Sequence, residues 1–299
     1  MQIPMKPFRP TLLVWLILVS APGVHAGELG IATLVEGAPL VLRGVTWFKL
    51  VPGARIQDGD IIDAGERAQV QIEFAAGSAA NLVGAGSLYL PPPAGPLTLS
   101  LPRGWLKVAA KPPDVRVRTT ITEITTTDAI LVLRTAGPPL DLFVESGTAR
   151  LNEFLPNGAV ATARDVKRGE FWSKAADEPF ALQPRAPKPF VDAMPRHFVD
   201  PLPRLAARFK VAPVLAADHD VTYAEAEPWL IGRDRAVFEK RFSSRLRDPA
   251  FRKAVEPHIA RYPTWDRKLH PEKYAARPRK PVSAPSSTQG GTAVAPLGN

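Results

Sequence analysis

An alternation of apolar and polar residues between Gly53 and Leu90 constrains the fold of this chain most. From Ala68 to Phe74 every second position is apolar: Ala68, Val70, Ile72 and Phe74 alternate with Gln69, Gln71 and Glu73. A period of two is typical of a strand with one buried face. Asp58-Gly59-Asp60 precedes this run and Ala76-Gly77-Ser78 follows it, and both segments favour tight turns. The pattern predicts short strands, with the two glutamines and the glutamate facing solvent.

Similar strand patterns continue to about Phe180. They predict a hairpin over Thr33–Arg43, which turns at Glu36-Gly37. Further strands are predicted at Leu97–Leu101, Val115–Thr119, Ile130–Leu133 and Leu140–Glu145. The Ile130–Leu133 run is continuously apolar, which is typical of a strand covered on both faces. We therefore predict a mainly β domain over residues 28–178, built of short strands and hairpins in a sandwich- or solenoid-like arrangement.

Four later segments follow the Gly53–Leu90 stretch in a recognisable order. They are GWLKV (Gly104–Val108), VRVRT (Val115–Thr119), LFVESGTARL (Leu142–Leu151) and VKRGEFW (Val166–Trp172). Over about residues 30–175 this order resembles that of FecR-like periplasmic domains. Two positions depart from the family pattern. Ala76 stands where the family's turn has an aspartate, and Thr125–Asp128 stands in place of a Gly-Thr element.

The FecR-like resemblance implies an all-β interaction domain in the periplasm. Members of that family are membrane regulators that bind a sigma factor through a cytoplasmic domain. No segment of this sequence resembles that cytoplasmic domain, so the resemblance is not extended to sigma-factor regulation. We recognise no family for the C-terminal helical part.

The first 26 residues have the pattern of a secretory signal peptide. Lys6 and Arg9 precede an apolar run at Leu12–Val19, and small residues at Val24 and Ala26 match a cleavage site before Gly27. The apolar run is too short to span about 30 Å of hydrocarbon as a helix. We therefore expect a periplasmic protein, exported through a cleavable signal peptide (residues 1–26), with no stable transmembrane segment.

The amino-acid composition excludes several kinds of site. The chain has no cysteine, so disulfides, thiolate metal sites and cysteine nucleophiles are excluded. Its net charge of +9 would suggest nucleic acid as a partner in the cytosol, but export argues against that. We expect the partner to be an envelope protein, with an anionic glycan or lipid as the alternative.

The chain after residue 178 changes character three times. Seven prolines between Pro179 and Pro203 predict an extended, semi-rigid linker over residues 179–203. A period of 3.6 then predicts an α-helical module over 204–274, with a capping box from Thr222 to Glu225 and a stop at Pro228. Residues 275–299 are rich in proline, serine, glycine and alanine, and we expect them to be disordered.

The helical module supplies the candidate partner-binding residues. Cations and tryptophans lie close together in its sequence: Arg233, Arg235, Lys240, Arg241, Arg245, Trp229 and Trp265. The cations could equally be a solvated face and the tryptophans the core of a small module.

No catalytic, cofactor-binding or metal-binding residue is predicted. The mature histidines lack metal-ligand spacing, and no serine lies in a nucleophile motif. We therefore expect a non-enzymatic interaction or signalling module. The alternative is a protein that binds the cell wall, or an anionic polysaccharide or lipid, through its basic, aromatic C-terminal module.

Overall fold

The computed structural model describes residues 27–136, 139–155, 159–175 and 178–274. The predicted signal peptide and the predicted disordered tail lie outside these residues. The described part is mainly β with a smaller C-terminal helical region, which confirms the predicted fold class.

Strands occupy the chain from Glu28 to Gln183, and one more follows later. They are β1 (Glu28–Glu36), β2 (Leu40–Arg43), β3 (Thr46–Lys49), β4 (Arg55–Gln57), β5 (Ile61–Gly65), β6 (Gln69–Phe74), β7 (Ala79–Tyr89), β8 (Leu97–Ala109), β9 (Val115–Arg118), β10 (Thr122–Thr126), β11 (Ile130–Ala136), β12 (Leu140–Ser146), β13 (Thr148–Phe154), β14 (Val160–Lys167), β15 (Phe171–Lys174), β16 (Ala181–Gln183) and β17 (Ala217–Asp220). The α-helices are α1 (Lys188–Ala193), α2 (Tyr223–Leu230), α3 (Arg235–Phe242), α4 (Pro249–Val255), α5 (Pro263–Leu269) and α6 (Pro271–Tyr274).

Strand pairing forms two runs that share β7 and β8. One run follows β4–β1–β6–β7–β8–β11–β12–β15–β16. The other follows β17–β3–β2–β5–β7–β8–β9–β10–β13–β14. These pairings are antiparallel except β8–β9, which is parallel. Because β7 and β8 each take part in both runs, the sheet folds back on itself as in a sandwich.

Two glycines allow β7 and β8 to bend between the runs. The pairing of β7 with β8 shifts register between Val83 and Ser87. Gly104 has a φ of +109°, and a Cβ at this position would lie 2.4 Å from the Cα of Gly86. Any side chain at Gly104 would therefore clash with the neighbouring backbone.

The main apolar core lies between the two runs. Ala68, Val70, Ile72 and Phe74 of the first pattern are all buried in it, as the alternation predicts. Leu131, Val132 and Leu133 are buried too, so β11 is covered on both faces as expected. The hairpin predicted over Thr33–Arg43 is wrong, because β1 pairs with β4 and β6 while β2 pairs with β3 and β5.

The prediction that the polar positions of β6 face solvent is also wrong. Gln69, Gln71 and Glu73 are buried, with exposures of 3, 0 and 8%. Gln71 is bound by Pro203, at the end of the predicted linker, and Glu73 by Leu205 and Ala206 just after it. Instead of an extended chain, residues 179–203 contain β16, α1 and a 3₁₀ turn at Arg196–Phe198. The side chains of Phe190 and Phe198 within it are buried.

The described residues divide into two compact units, the first ending at Arg245 and the second beginning at Leu246. The first unit contains all the strands together with α1, α2 and α3. Its β17, within the predicted helical module, pairs with β3. The Thr222–Glu225 capping box is confirmed, whereas Pro228 lies inside α2 and does not end it.

In the second unit, the described residues build α4, a 3₁₀ turn at Glu256–Arg261, α5 and α6. Asp248 caps α4 by accepting hydrogen bonds from the N–H groups of Ala250 and Phe251. None of the helices in the described ranges combines the length and the hydropathy that a membrane span requires.

Candidate functional site

Arg241, one of the predicted partner-binding cations, is bound inside the first compact unit. Its guanidinium donates to the carbonyl oxygens of Leu42 (2.8 Å), Gly44 (2.5 Å) and Gly59 (2.6 Å). Burial lowers the pKa of Arg241. Its role in the structure is therefore to attach α3 to the loops around β2 and β4.

An ion pair lies beside this attachment. Asp60 is buried and accepts hydrogen bonds from the Arg43 guanidinium (3.0 Å) and from the Gln57 N–H (2.9 Å). Burial raises the pKa of Asp60, against the opposing effect of Arg43. The sequence predicts that Asp60 lies in a tight turn, and its hydrogen bond to the Gln57 amide, three residues earlier, agrees with this prediction.

Of the other predicted cations, two bind groups within the protein and two are exposed. Arg245 contacts Asp220 (2.8 Å) and the Val221 carbonyl (3.1 Å). Arg235 pairs with Glu239 at 2.6 Å. Arg233 is exposed, with its guanidinium 4.4 Å from the centre of the Phe154 ring, and Lys240 is exposed as well.

Both predicted tryptophans are core residues. Trp229 packs against Tyr89 and Phe238, with ring centres 6.1 and 5.2 Å away, and this aromatic group holds α2 and α3 against the end of β7. Trp265 is fully buried in the second unit beside Tyr262 and Phe251. Neither indole face is available for stacking on a sugar ring. Among the predicted set, only Arg233 and Lys240 are exposed.

A histidine lies between two carboxylates near the start of α2. His219 Nδ1 is 2.8 Å from Asp218 and Nε2 is 2.8 Å from Glu225. Hydrogen bonding to Asp218 and then to Glu225 raises the pKa of His219. Because Glu225 also forms the α2 capping box, protonation of His219 strengthens the link between β17 and α2.

The described residues bring together no recognisable catalytic or metal-binding group. An open depression of about 550 Å³ is lined by residues around α1, among them Arg185, Lys188 and Asp192, and Lys188 pairs with Asp192. A smaller one of about 180 Å³ lies beside Gln69 and His197. Nowhere in the described ranges do three or more His, Asp or Glu side chains form a group that could hold a metal ion.

A straight row of side chains crosses six strands of the first run on the face opposite the core. Each member is directly paired with the next through the strand register: Gln71 (β6), Asn81 (β7), Lys107 (β8), Val132 (β11), Phe143 (β12) and Phe171 (β15). We call this set the cross-strand row. One end is polar and the other is apolar. Lys107, at the junction, is fully buried.

Residues 186–209, which we call the strap, lie along this row. The polar end of the face binds the backbone of the strap. Lys107 Nζ donates to the carbonyls of Phe198 (2.6 Å) and Asp200 (3.2 Å), and Gln71 Nε2 donates to the Pro203 carbonyl (2.7 Å). Glu73, two positions along β6 from Gln71, accepts the N–H groups of Leu205 (2.6 Å) and Ala206 (3.1 Å).

The apolar end of the row binds two strap side chains. Phe190 packs on Phe171, Trp105 and Phe143, with ring centres 4.8, 5.2 and 6.4 Å away. Phe198 lies 6.4 Å from Trp105. The Arg134 guanidinium lies over Trp105 and Phe190. The strap is therefore held by aromatic side chains at one end and by its backbone at the other.

The comparisons with known proteins are sparse. No family model matches the chain, and no curated protein is significantly similar to it. Two crystal structures from Parabacteroides distasonis ATCC 8503, each described as a candidate anti-sigma factor, are similar to it at 10% identity. The similarity covers 42% of this chain and 59% of theirs, with TM-scores of 0.38 and 0.37. A likeness of this size does not show a family or a function for this chain.

The cross-strand row and the strap were missed at the level of sequence. Polar residues at every second position of β6 are normally solvated, and nothing local shows that a segment about 130 residues later covers them. One signal was present. Phe190 and Phe198 lie in the proline-rich stretch, and large aromatic side chains are usually buried, so they indicate that this stretch packs against the domain.

Proposed function

We propose that the chain is an exported, non-enzymatic protein of the cell envelope whose FecR-like β domain binds another envelope protein in signalling or assembly. One observation carries this proposal. The sheet face around the cross-strand row binds a polypeptide segment through its backbone, with Lys107, Gln71 and Glu73 as the contacting side chains. A surface that hydrogen-bonds polypeptide backbone in this way is suited to protein binding.

The periplasmic location is part of the same proposal and rests on the sequence pattern of residues 1–26. N-terminal sequencing of protein extracted from the envelope should begin at Gly27. Protein that retains Met1 and fractionates with the cytoplasm would contradict the location.

The placement of the basic and aromatic residues supports a protein partner over an anionic glycan or lipid. Trp229 and Trp265 are core residues, and Arg241 and Arg245 bind groups of their own compact unit. This leaves Arg233 and Lys240 as the exposed cations of the predicted set. Most of the predicted set is therefore engaged inside the protein and is not available to an anionic polymer.

Crosslinking of the intact chain in cells tests the protein-binding function. We expect one covalent adduct of defined mass, which persists when the cells are washed in 1 M salt before crosslinking. The purified partner should then bind the purified chain directly. The adduct should also form with the double variant Arg233→Gln/Lys240→Gln, because an apolar interface centre does not depend on these cations.

The opposite result would support the glycan or lipid alternative. In that case retention in the envelope would be lost at 1 M salt, and also in the double variant at low salt. No adduct of defined mass would form, and the proposed function would be wrong.

A further inference from the structure

We propose that the cross-strand row is the docking site for an extended segment of the partner protein, and that the strap is a resident occupant that this segment displaces. The inference rests on the proposed function and names the surface that performs it. The partner segment is extended, offers a large aromatic side chain, and has backbone N–H groups where the strap has Pro201 and Pro203.

Recognition on the polar half of this face is directed at the backbone. Lys107 and Gln71 donate to main-chain carbonyls, and Glu73 accepts main-chain N–H groups. These contacts do not depend on which side chains the bound segment carries. A segment of different sequence can therefore make the same five hydrogen bonds.

The strap leaves part of this site unused. Gln71 Oε1 and Asn81 Oδ1 are buried and accept no hydrogen bond from the described residues. The contacts run in order from Phe198 and Asp200 at Lys107 to Pro203 at Gln71, so residues 201–202 cross the position of Asn81 between them.

Proline limits the backbone donors at this point of the strap. Pro201 and Pro203 have no N–H, which leaves Leu202 as the one possible backbone donor between Asp200 and Arg204. A buried acceptor without a donor weakens the complex that contains it. A segment with N–H groups at these two positions would make bonds that the strap cannot make, so it would bind more tightly than the strap.

The face tolerates departure of the strap better than an apolar face would. Lys107, Gln71 and Glu73 are groups that water solvates well, so opening this half replaces hydrogen bonds to the strap by hydrogen bonds to water. At the other half the partner's aromatic residue takes the site that Phe198 fills beside Trp105. The aromatic site sets specificity, while the polar half supplies sequence-independent affinity.

Two synthetic peptides test this directly, both covering Met194–Phe209. One has the native sequence, and the other carries Pro201→Ala and Pro203→Ala. Their binding to the full mature chain would be measured by fluorescence anisotropy. We expect the substituted peptide to bind at least tenfold more tightly than the native one. Both should bind more tightly to the Phe198→Ala chain, because its own strap is held less firmly.

Variants of the chain connect binding to the cross-strand row. In the Phe198→Ala background, where the chain's own strap is held less firmly, Lys107→Met should weaken both peptides about tenfold or more, whereas the matched control Lys240→Met, at an exposed lysine, should change neither. Asn81→Leu removes the acceptor that the native strap sequence leaves without a donor, so it should reduce the advantage of the substituted peptide over the native one. This second variant keeps the test valid if Lys107→Met does not fold, which circular dichroism would reveal.

Two results would overturn the inference. They are failure of both peptides to bind the Phe198→Ala chain, and equal binding to the Phe198→Ala chain and to its folded Lys107→Met derivative. If the envelope adduct still forms with that folded Lys107→Met chain, the protein-binding function stands and this docking site is wrong. If the peptides bind as expected but no envelope adduct forms, the docking site stands and the proposed envelope partner is wrong.

Discussion

Replacing Gln71 by aspartate tests whether the polar face of β6 is covered, as in the structure, or exposed to solvent, as the sequence predicts. On an exposed face, Gln71→Asp would be nearly neutral. In the structure Gln71 is fully buried and donates to Thr33 Oγ1 (3.0 Å) and to the Pro203 carbonyl (2.7 Å). Aspartate can make neither bond when it is ionised, and its carboxylate would face the Pro203 carbonyl.

The cost follows from these contacts. Each lost hydrogen bond removes about 1 kcal/mol of stability, and a buried charge without a partner costs about 3–5 kcal/mol. The chain can limit this cost by releasing the strap, which returns the carboxylate to water. We therefore expect at least about 3 kcal/mol to be lost locally, which corresponds to roughly 100-fold faster opening of the strap.

Hydrogen exchange followed by mass spectrometry locates the effect. The N–H groups of Leu205 and Ala206 bind Glu73 and should exchange roughly 100-fold faster in Gln71→Asp. Gln183→Asp is the matched control, because Gln183 is half-buried in β16, and it should change exchange at these amides little. Equal exchange in the wild-type chain and Gln71→Asp would show that the strap does not cover β6, and the account of this face would be wrong.

Three further predictions follow from other contacts. Thr222→Ala removes one half of the α2 capping box and should lower the free energy of unfolding of the first unit, measured in urea, by about 1 kcal/mol. Thr148→Ala, at an exposed strand position, is the control and should lower it by less. An equal loss of stability in the two variants would contradict the capping role of Thr222. Because the pKa of His219 is raised in the folded state, the protonated histidine stabilises the fold below the unfolded-state pKa of 6.5, and this stabilisation is lost as the pH rises through the folded-state pKa. The urea midpoint of the wild type should therefore be lower at pH 8 than at pH 6, and the difference should be smaller in His219→Gln. An equal fall in both proteins would refute this role. Trypsin should cleave slowly after Arg196, next to the buried Phe198, and faster in Phe198→Ala; rapid cleavage of the wild type there would favour the extended linker that the sequence predicts.

Much of the local structure could be predicted because it depends on near neighbours. The alternation of Val70, Ile72 and Phe74 places them in the core, and the spacing of Thr222 and Glu225 makes a helix cap. Strand alternation and capping arise from backbone geometry over two to four residues. Such patterns are present in the sequence whatever the rest of the chain does.

The candidate site could not be predicted in the same way. The sequence leaves open whether Arg241 is solvated and whether Trp229 is a core residue. In the structure Arg241 binds carbonyls of Leu42, Gly44 and Gly59, and Trp229 packs on Tyr89. Their partners lie more than 130 residues away in sequence. The sequence of α3 shows which side chains are polar, but it does not show which backbone carbonyls those side chains will bind.

The sequence by itself determined that this chain forms alternating strands followed by short capped helices, and which face of each strand is apolar. Only the tertiary structure decided that the polar face of β6 is covered too, and by which segment. The physical reason is the range of the interactions. Period and capping act within one turn or one strand, whereas Lys107, Gln71 and Glu73 satisfy backbone groups 91 to 133 residues later in the chain. Contacts at that separation exist only after β6, β7 and β8 have assembled and the strap has folded back over them.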